Sequence, residues 1–324
     1  MNKRNTGIDL FRIFCCIGVL NYHTVDDVLG SPGAGFIYFA SSFCIPGFFL
    51  MSGYLLGSKS ELSPEYIETK VKTTLTKLIG WVIFWVAVRF IRTGELIDLW
   101  GNITSGAVQA GILPVTWFLF TYCMLLIISY PLKALLNKNK YICWSIAAIW
   151  GVLLALGMGQ DWAASRTQTL WLHLYAGYFF IGMSLSSVID GILDKIEKWI
   201  VAGGAGLMFA VSSCVYAWKI QITEVFRLPA SYYGEWYYTV WFLSLFVICL
   251  FFSVKNEKIS YALKVLADNT FVVYLGHLPI LLYVTALYPL QSTQMAVFLS
   301  ILLFVVLEIL AQTFKKMPIL RKLV

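Results

Sequence analysis

The sequence predicts an all-α polytopic membrane protein: one domain, residues 1–324, built as a bundle of about ten transmembrane helices with both termini cytoplasmic. Three observations carry this expectation. Hydrophobic residues make up 59% of the chain and charged ones 13%, with a mean hydropathy of +0.77, whereas soluble domains run near 45–50% and about 25%. Apolar windows of about 20 residues, the length that crosses a bilayer as a helix, recur along the chain. Finally, Lys and Arg alternate between the two sets of connections. With the N-terminus inside, eighteen of the 24 basic residues fall on inner segments and five on outer ones, and Arg12 lies within the membrane. That asymmetry is the positive-inside signature, and an extra or missing span would scramble it. It also accounts for the net charge of +7 without nucleic acid as a partner.

We place the spans at about 7–28, 35–57, 75–93, 112–131, 141–159, 169–188, 199–218, 236–254, 268–288 and 293–314. The first begins after MNKR, as a signal peptide would. Arg12 and His23 interrupt its apolar run and no small-residue cleavage site follows, so it reads as a retained helix. It also carries Asp9. Ionisable groups at bilayer depth cost roughly 2.5–3.5 kcal/mol each on insertion scales, which makes them functional candidates. Arg12 and His23 are eleven residues apart, about three turns, so they share a face about 16 Å apart along the axis. Asp9 and Arg12, three apart, are spaced to pair.

The second span ends in FFLMSGYLLGSKS, where Ser52 and Gly53 permit close approach of a helix or a ligand, with Tyr54 beside them. The inner loop that follows holds Lys59, Lys70, Lys72 and Lys77. These serve as topology determinants or as a basic surface for a phosphorylated molecule. Trp117 and Phe118 open the fourth span, as interfacial belt residues or as the wall of a cleft. The long outer links, Arg89 to Gly111 and Lys219 to Trp236, are the latter rich in Tyr and Trp, which suits sugar rings and lipid headgroups equally. His173 lies near the outer end of span six. His277 lies in span nine just before Pro279, which should loosen the local ladder. Glu308 in span ten is a further intramembrane ionisable group, a candidate partner for a His or for Arg12. The seven cysteines all sit in apolar runs without metal-ligand spacing, and no metal is expected.

Together, Arg12 and His23 in an R-x10-H pattern behind Asp9, MSGYLL after span two, TWFL in span four and VYLGHLPI in span nine resemble the membrane acyltransferase-3 family of bacterial integral-membrane proteins. The resemblance covers essentially the whole chain. One departure is visible: relatives often carry an acidic residue soon after the WFL motif, and here Thr121 and Tyr122 follow. No fused extracytoplasmic domain is evident.

The resemblance implies acyl transfer, by default from acetyl-CoA, to a hydroxyl of a surface glycan or a lipid-linked sugar. The enzyme would sit in the bacterial cytoplasmic membrane among its lipids, with a homo-oligomer left open. Arg12 would clamp the acyl-CoA, Asp9 would orient Arg12, and His23 would act as general base or transient acyl carrier. Ser52, Tyr54, Trp117 and His277 would line the substrate path. The competing class is a small-molecule transporter of the same family. Its expected mark is inverted repeats with broken helices, and none is evident. A non-catalytic scaffold leaves the shared face of Arg12 and His23 unexplained.

Overall fold

The structure is a computed structural model that describes residues 4–31, 33–94, 116–139, 141–155, 172–193, 196–223, 236–318 and 320–324. Among them the regular structure is helical: α1 Thr6–Asp26, α2 Ala34–Ser42, α3 Cys44–Gly57, α4 Pro64–Thr93, α5 Thr116–Lys138, α6 Ile142–Ala155, α7 Leu172–Leu193, α8 Lys198–Thr223, α9 Trp236–Phe251, α10 Glu257–Leu287 and α11 Thr293–Lys316, with a short 3-10 turn at Leu320–Leu323. Eight stretches among the described residues are long and apolar enough to cross a membrane, and Trp236–Phe251 is apolar but shorter. Most of the two long links falls outside the described residues.

The helix starts follow from local chemistry. Asn5 caps α1, its side-chain oxygen accepting from the amides of Gly7 and Ile8. Asn256 and Ser292 do the same for α10 and α11. Such caps satisfy amides that the first turn leaves without a partner. The ninth expected span, 268–288, starts earlier, at Glu257, and two other boundaries differ for a local reason. The second span is two helices that meet at Phe43, because Pro46 has no amide to offer the Ser42 carbonyl. The third begins at Pro64 rather than near 75: Ser63 accepts from the amide of Tyr66, and Pro64 occupies the first turn, where it is tolerated. Of the lysines expected in a loop, Lys70, Lys72 and Lys77 are therefore on a helix, and Lys59 stays in the connection.

Helix α1 lies at the centre, packed against α2, α3, α9, α10 and α11. Its polar residues are thereby withdrawn from lipid. By contrast α11 has two faces. Phe298, Ile301, Leu302, Val305 and Ile309 are exposed, while Ala296, Ser300, Leu303, Leu307 and Glu308 are buried, the pattern of a helix with one face to the bundle and one to hydrocarbon. The α3–α7 contact is the most extensive between two of the described helices. A Cβ on Gly53 would fall on the Phe179 carbonyl, and one on Gly182 on the Leu50 carbonyl, so small residues here let backbones touch.

Helix α10 runs unbroken past Pro279. The proline leaves the Leu275 carbonyl, four residues back, without its helical donor. Trp85 of α4 fills that place, its indole N–H donating to the Leu275 carbonyl at 3.2 Å. Replacing Trp85 with Phe keeps most of the bulk and deletes the donor. The expected result is a loss of about 1–3 kcal/mol, read as a lower melting temperature in detergent, with no effect in a Pro279→Ala background that restores the helical donor.

Candidate active site

Three helices place polar residues at matching depths. On α1, Thr24 and Cys16 are eight residues apart. So are His277 and Asn269 on α10, and Ser300 and Glu308 on α11. Eight residues are about 12 Å of helix. At the His23 end the Thr24 and Ser300 hydroxyls hydrogen-bond at 2.6 Å. At mid-depth the Cys16 thiol donates to the Thr270 carbonyl at 3.6 Å, and the Asn269 amide donates to Glu308 at 2.6 Å. Nearer the N-terminal end of α1, a cavity of about 430 Å³ opens, within the size range of small-molecule sites.

Arg12 lines this cavity. Helix α4 contributes Lys70, Thr73, Thr74 and Lys77, whose i, i+3, i+4, i+7 spacing puts all four on one face. Helix α3 adds Phe48, Met51 and Ser52. Helix α5 adds Phe118, Leu119 and Tyr122, and α10 adds Asp268, Thr270, Phe271 and Tyr274 among others. The lining is thus three cations, one carboxylate, several hydroxyls and an aromatic wall. Ser52 and Tyr122 both line the cavity, so a phenol faces it three residues past the WFL motif. Val324 also lines it: Lys77 donates to the Val324 carbonyl, and the Trp81 indole donates to that of Leu323 at 3.1 Å.

Arg12 is half-buried, and among the described residues it has no hydrogen-bond or ion-pair partner. The expected Asp9–Arg12 pair is not formed. Asp9 instead takes a two-pronged ion pair from Arg4, at 2.7 Å on each oxygen, and Arg4 also donates to Asp268 at 2.8 Å. Those hydrogen bonds, Asp9 foremost, hold the Arg4 guanidinium above its usual pKa and so charged. Arg4 lies just before the first turn of α1 and folds back onto Asp9, which locks the start of α1 to α10 and leaves Arg12 to the cavity. Asp9→Asn is expected to weaken this lock by about 1–3 kcal/mol, measured as earlier thermal unfolding. Acyl transfer at temperatures where the variant is folded should stay within about twofold.

His23 and His277 do not line the cavity. Their rings lie 5.2 Å apart, and Tyr274, which does line it, is 6.0 Å from His277. His277 is fully buried. Its Nδ1 is 2.6 Å from the Tyr274 carbonyl and 3.2 Å from that of Val273. A carbonyl only accepts, so Nδ1 carries the hydrogen and Nε2 is bare. That Nε2 is buried without a partner. His23 is partly exposed, with the Tyr22 ring edge-on at 5.5 Å.

The remaining sequence candidates divide. Ser52 reaches the cavity. Tyr54, two residues on, turns to Phe246 at 5.4 Å and does not line it. The side chains of Trp117 and His173 lie outside the described residues. Glu308 pairs with Asn269, not with a His or Arg12. Thr73, Thr74, Asp268 and Tyr274 were not singled out from sequence, and Lys70 and Lys77 entered only as a basic surface of a loop. The four on α4 carried a signal, since Ser63-Pro64-Glu65 announces a helix on which they fall into one stripe.

Set against known families, residues 5–311 match the acyltransferase-3 family model, described as an acyltransferase domain. No curated protein and no solved structure matches the chain. With the match spanning nearly every described helix, the chain belongs to the acyltransferase-3 family and is a multi-pass membrane acyltransferase.

Proposed function

We propose that this enzyme moves an acyl group, by default acetyl, from cytoplasmic acyl-CoA to a hydroxyl of an extracytoplasmic or lipid-linked glycan. The observation that supports it most is Arg12, a guanidinium without a carboxylate partner among the described residues, opening on a cavity beside Lys70 and Lys77. Desolvated positive charge of this kind suits an anionic ligand, and Arg is built for two-pronged contact with phosphate. The positive-inside reading puts this cavity on the cytoplasmic side, where acyl-CoA is available. The donor's phosphates would rest on the basic face, and its pantetheine arm would run between Phe118, Phe271 and Tyr274 toward His23, across the roughly 16 Å of helix that separates it from Arg12.

In this reading His23 takes the proton from the acceptor hydroxyl as general base. The oxygen attacks the thioester carbonyl, the C–S bond breaks, and the CoA thiolate leaves and is protonated. The alternative of an acyl group carried on His23 would show as an added acyl mass on protein incubated with acyl-CoA alone, and no such mass is expected. The test of the whole reading is mass spectrometry of surface glycans from cells with and without the gene, joined to acyl-CoA turnover by the purified protein. A lost acyl mass with CoA release supports it. Solute uptake independent of CoA, with glycans unchanged, overturns it in favour of transport.

A further inference from the structure

We infer that His277 is a positioning residue for His23: its Nε2 accepts the N–H of one His23 nitrogen, so that the other nitrogen faces the acceptor hydroxyl with its lone pair. The inference rests on the reading of His23 as the base. His277 itself is fixed by its surroundings. It is wholly buried in α10, and its Nδ1–H is held by the Tyr274 carbonyl at 2.6 Å, with that of Val273 at 3.2 Å. This leaves one lone pair, on Nε2, buried and without a donor. A buried acceptor without a donor costs about 1–3 kcal/mol, so the fold retains a defect that a moving neighbour can repair.

The neighbour is in place. The two ring centres are 5.2 Å apart and tilted by 35°. An N–H···N bond of about 2.9 Å between two imidazoles sets their centres about 5 Å apart. Only a turn of the His23 ring is needed to point a nitrogen at Nε2, because His23 is partly exposed and makes no side-chain hydrogen bond among the described residues. The flanking stack is rigid by comparison: Tyr22 and Tyr38 lie with ring centres 4.4 Å apart, their hydroxyls joined at 2.5 Å. A neutral acceptor behind the base does two things. It chooses the tautomer of His23, and it shares the positive charge that develops when His23 takes a proton. A base needs both.

Two amide replacements separate this role from packing. In His277→Asn the amide nitrogen overlays Nδ1, so the Tyr274 anchor survives and the acceptor is removed. In His277→Gln the amide reaches the Nε2 place and can present its oxygen. We expect His277→Asn to lower kcat at least about tenfold with KM for acyl-CoA within about twofold, and His277→Gln to recover most of that loss. Equal losses in the two variants, wild-type kcat in His277→Asn, or a loss carried by KM would overturn the inference.

A second measurement does not depend on activity. The chain has three histidines, so ¹⁵N-histidine spectra are assigned by single replacements. His277 should be the Nδ1–H tautomer and His23 a single tautomer that becomes mixed in His277→Asn. An Nε2–H tautomer of His277, or an unchanged His23, sinks the idea. His23→Ala is run alongside. If it retains full turnover, the functional reading fails. If it is inactive while His277→Asn is fully active, only the present inference fails.

Discussion

Replacing His23 with alanine is expected to lower acyl transfer by at least about 100-fold, the lower end of what a positioned general base contributes. KM for acyl-CoA should change by less than about twofold, because the cavity that carries Arg12, Lys70 and Lys77 does not include His23. The defect therefore belongs in kcat, which is what the loss of an interaction made only in the transition state produces. The measurement is acylation of a hydroxyl acceptor by purified protein in lipid, with acyl-CoA titrated. Insertion is checked by labelling and by the melting temperature. Turnover at the wild-type rate in a normally inserted protein removes His23 from the mechanism. His23 is partly exposed, with the Tyr22 and His277 rings beside it, and it makes no side-chain hydrogen bond among the described residues, so the variant should fold.

The spans were legible in the sequence because their signal is local: apolar windows and charge placed at their ends. Where the expectation slipped, a second local signal was present and outweighed. Glu65, Glu68, Lys70 and Lys72 dilute the hydropathy at the start of α4, although Ser63 and Pro64 mark a helix start. Pro46 marks the break in the second span. The site was legible only in part, and the reason is again distance along the chain. Arg12 and His23 can be placed on one face from spacing alone. The partner of Asp9 could not: the i, i+3 rule points to Arg12, but Arg4 lies before the helix, where no periodicity applies. Glu308 and Asn269 belong to neighbouring helices, and the approach of His277 to His23 depends on how α10 crosses α1. Side chains brought together by packing of separate helices leave no spacing to read.

Arg12→Lys is expected to weaken acyl-CoA binding by about tenfold, and Arg12→Ala by up to about 100-fold. Hydrogen bonds to a charged group contribute about 1.5–3 kcal/mol, and each 1.4 kcal/mol is tenfold in affinity. Lysine keeps the charge and loses the fork that grips two oxygens at once, which is why its effect should be smaller than that of alanine but not absent. Folding should be little changed, because Arg12 has no ion pair to lose among the described residues and the lock on α1 is made by Arg4. The donor chemistry supplies the control. An acyl-pantetheine has the thioester and the arm but no phosphate. If Arg12 clamps phosphate, acyl-pantetheine binds wild type and Arg12→Lys alike, and the tenfold gap appears only with acyl-CoA. A gap of the same size with both donors moves the guanidinium's contact to the arm or the thioester carbonyl. Unchanged affinity and turnover with both removes Arg12 from donor binding. Salt adds a further distinction: the contribution of the exposed Lys70 should fade as ionic strength rises, while those of the half-buried Arg12 and Lys77 persist.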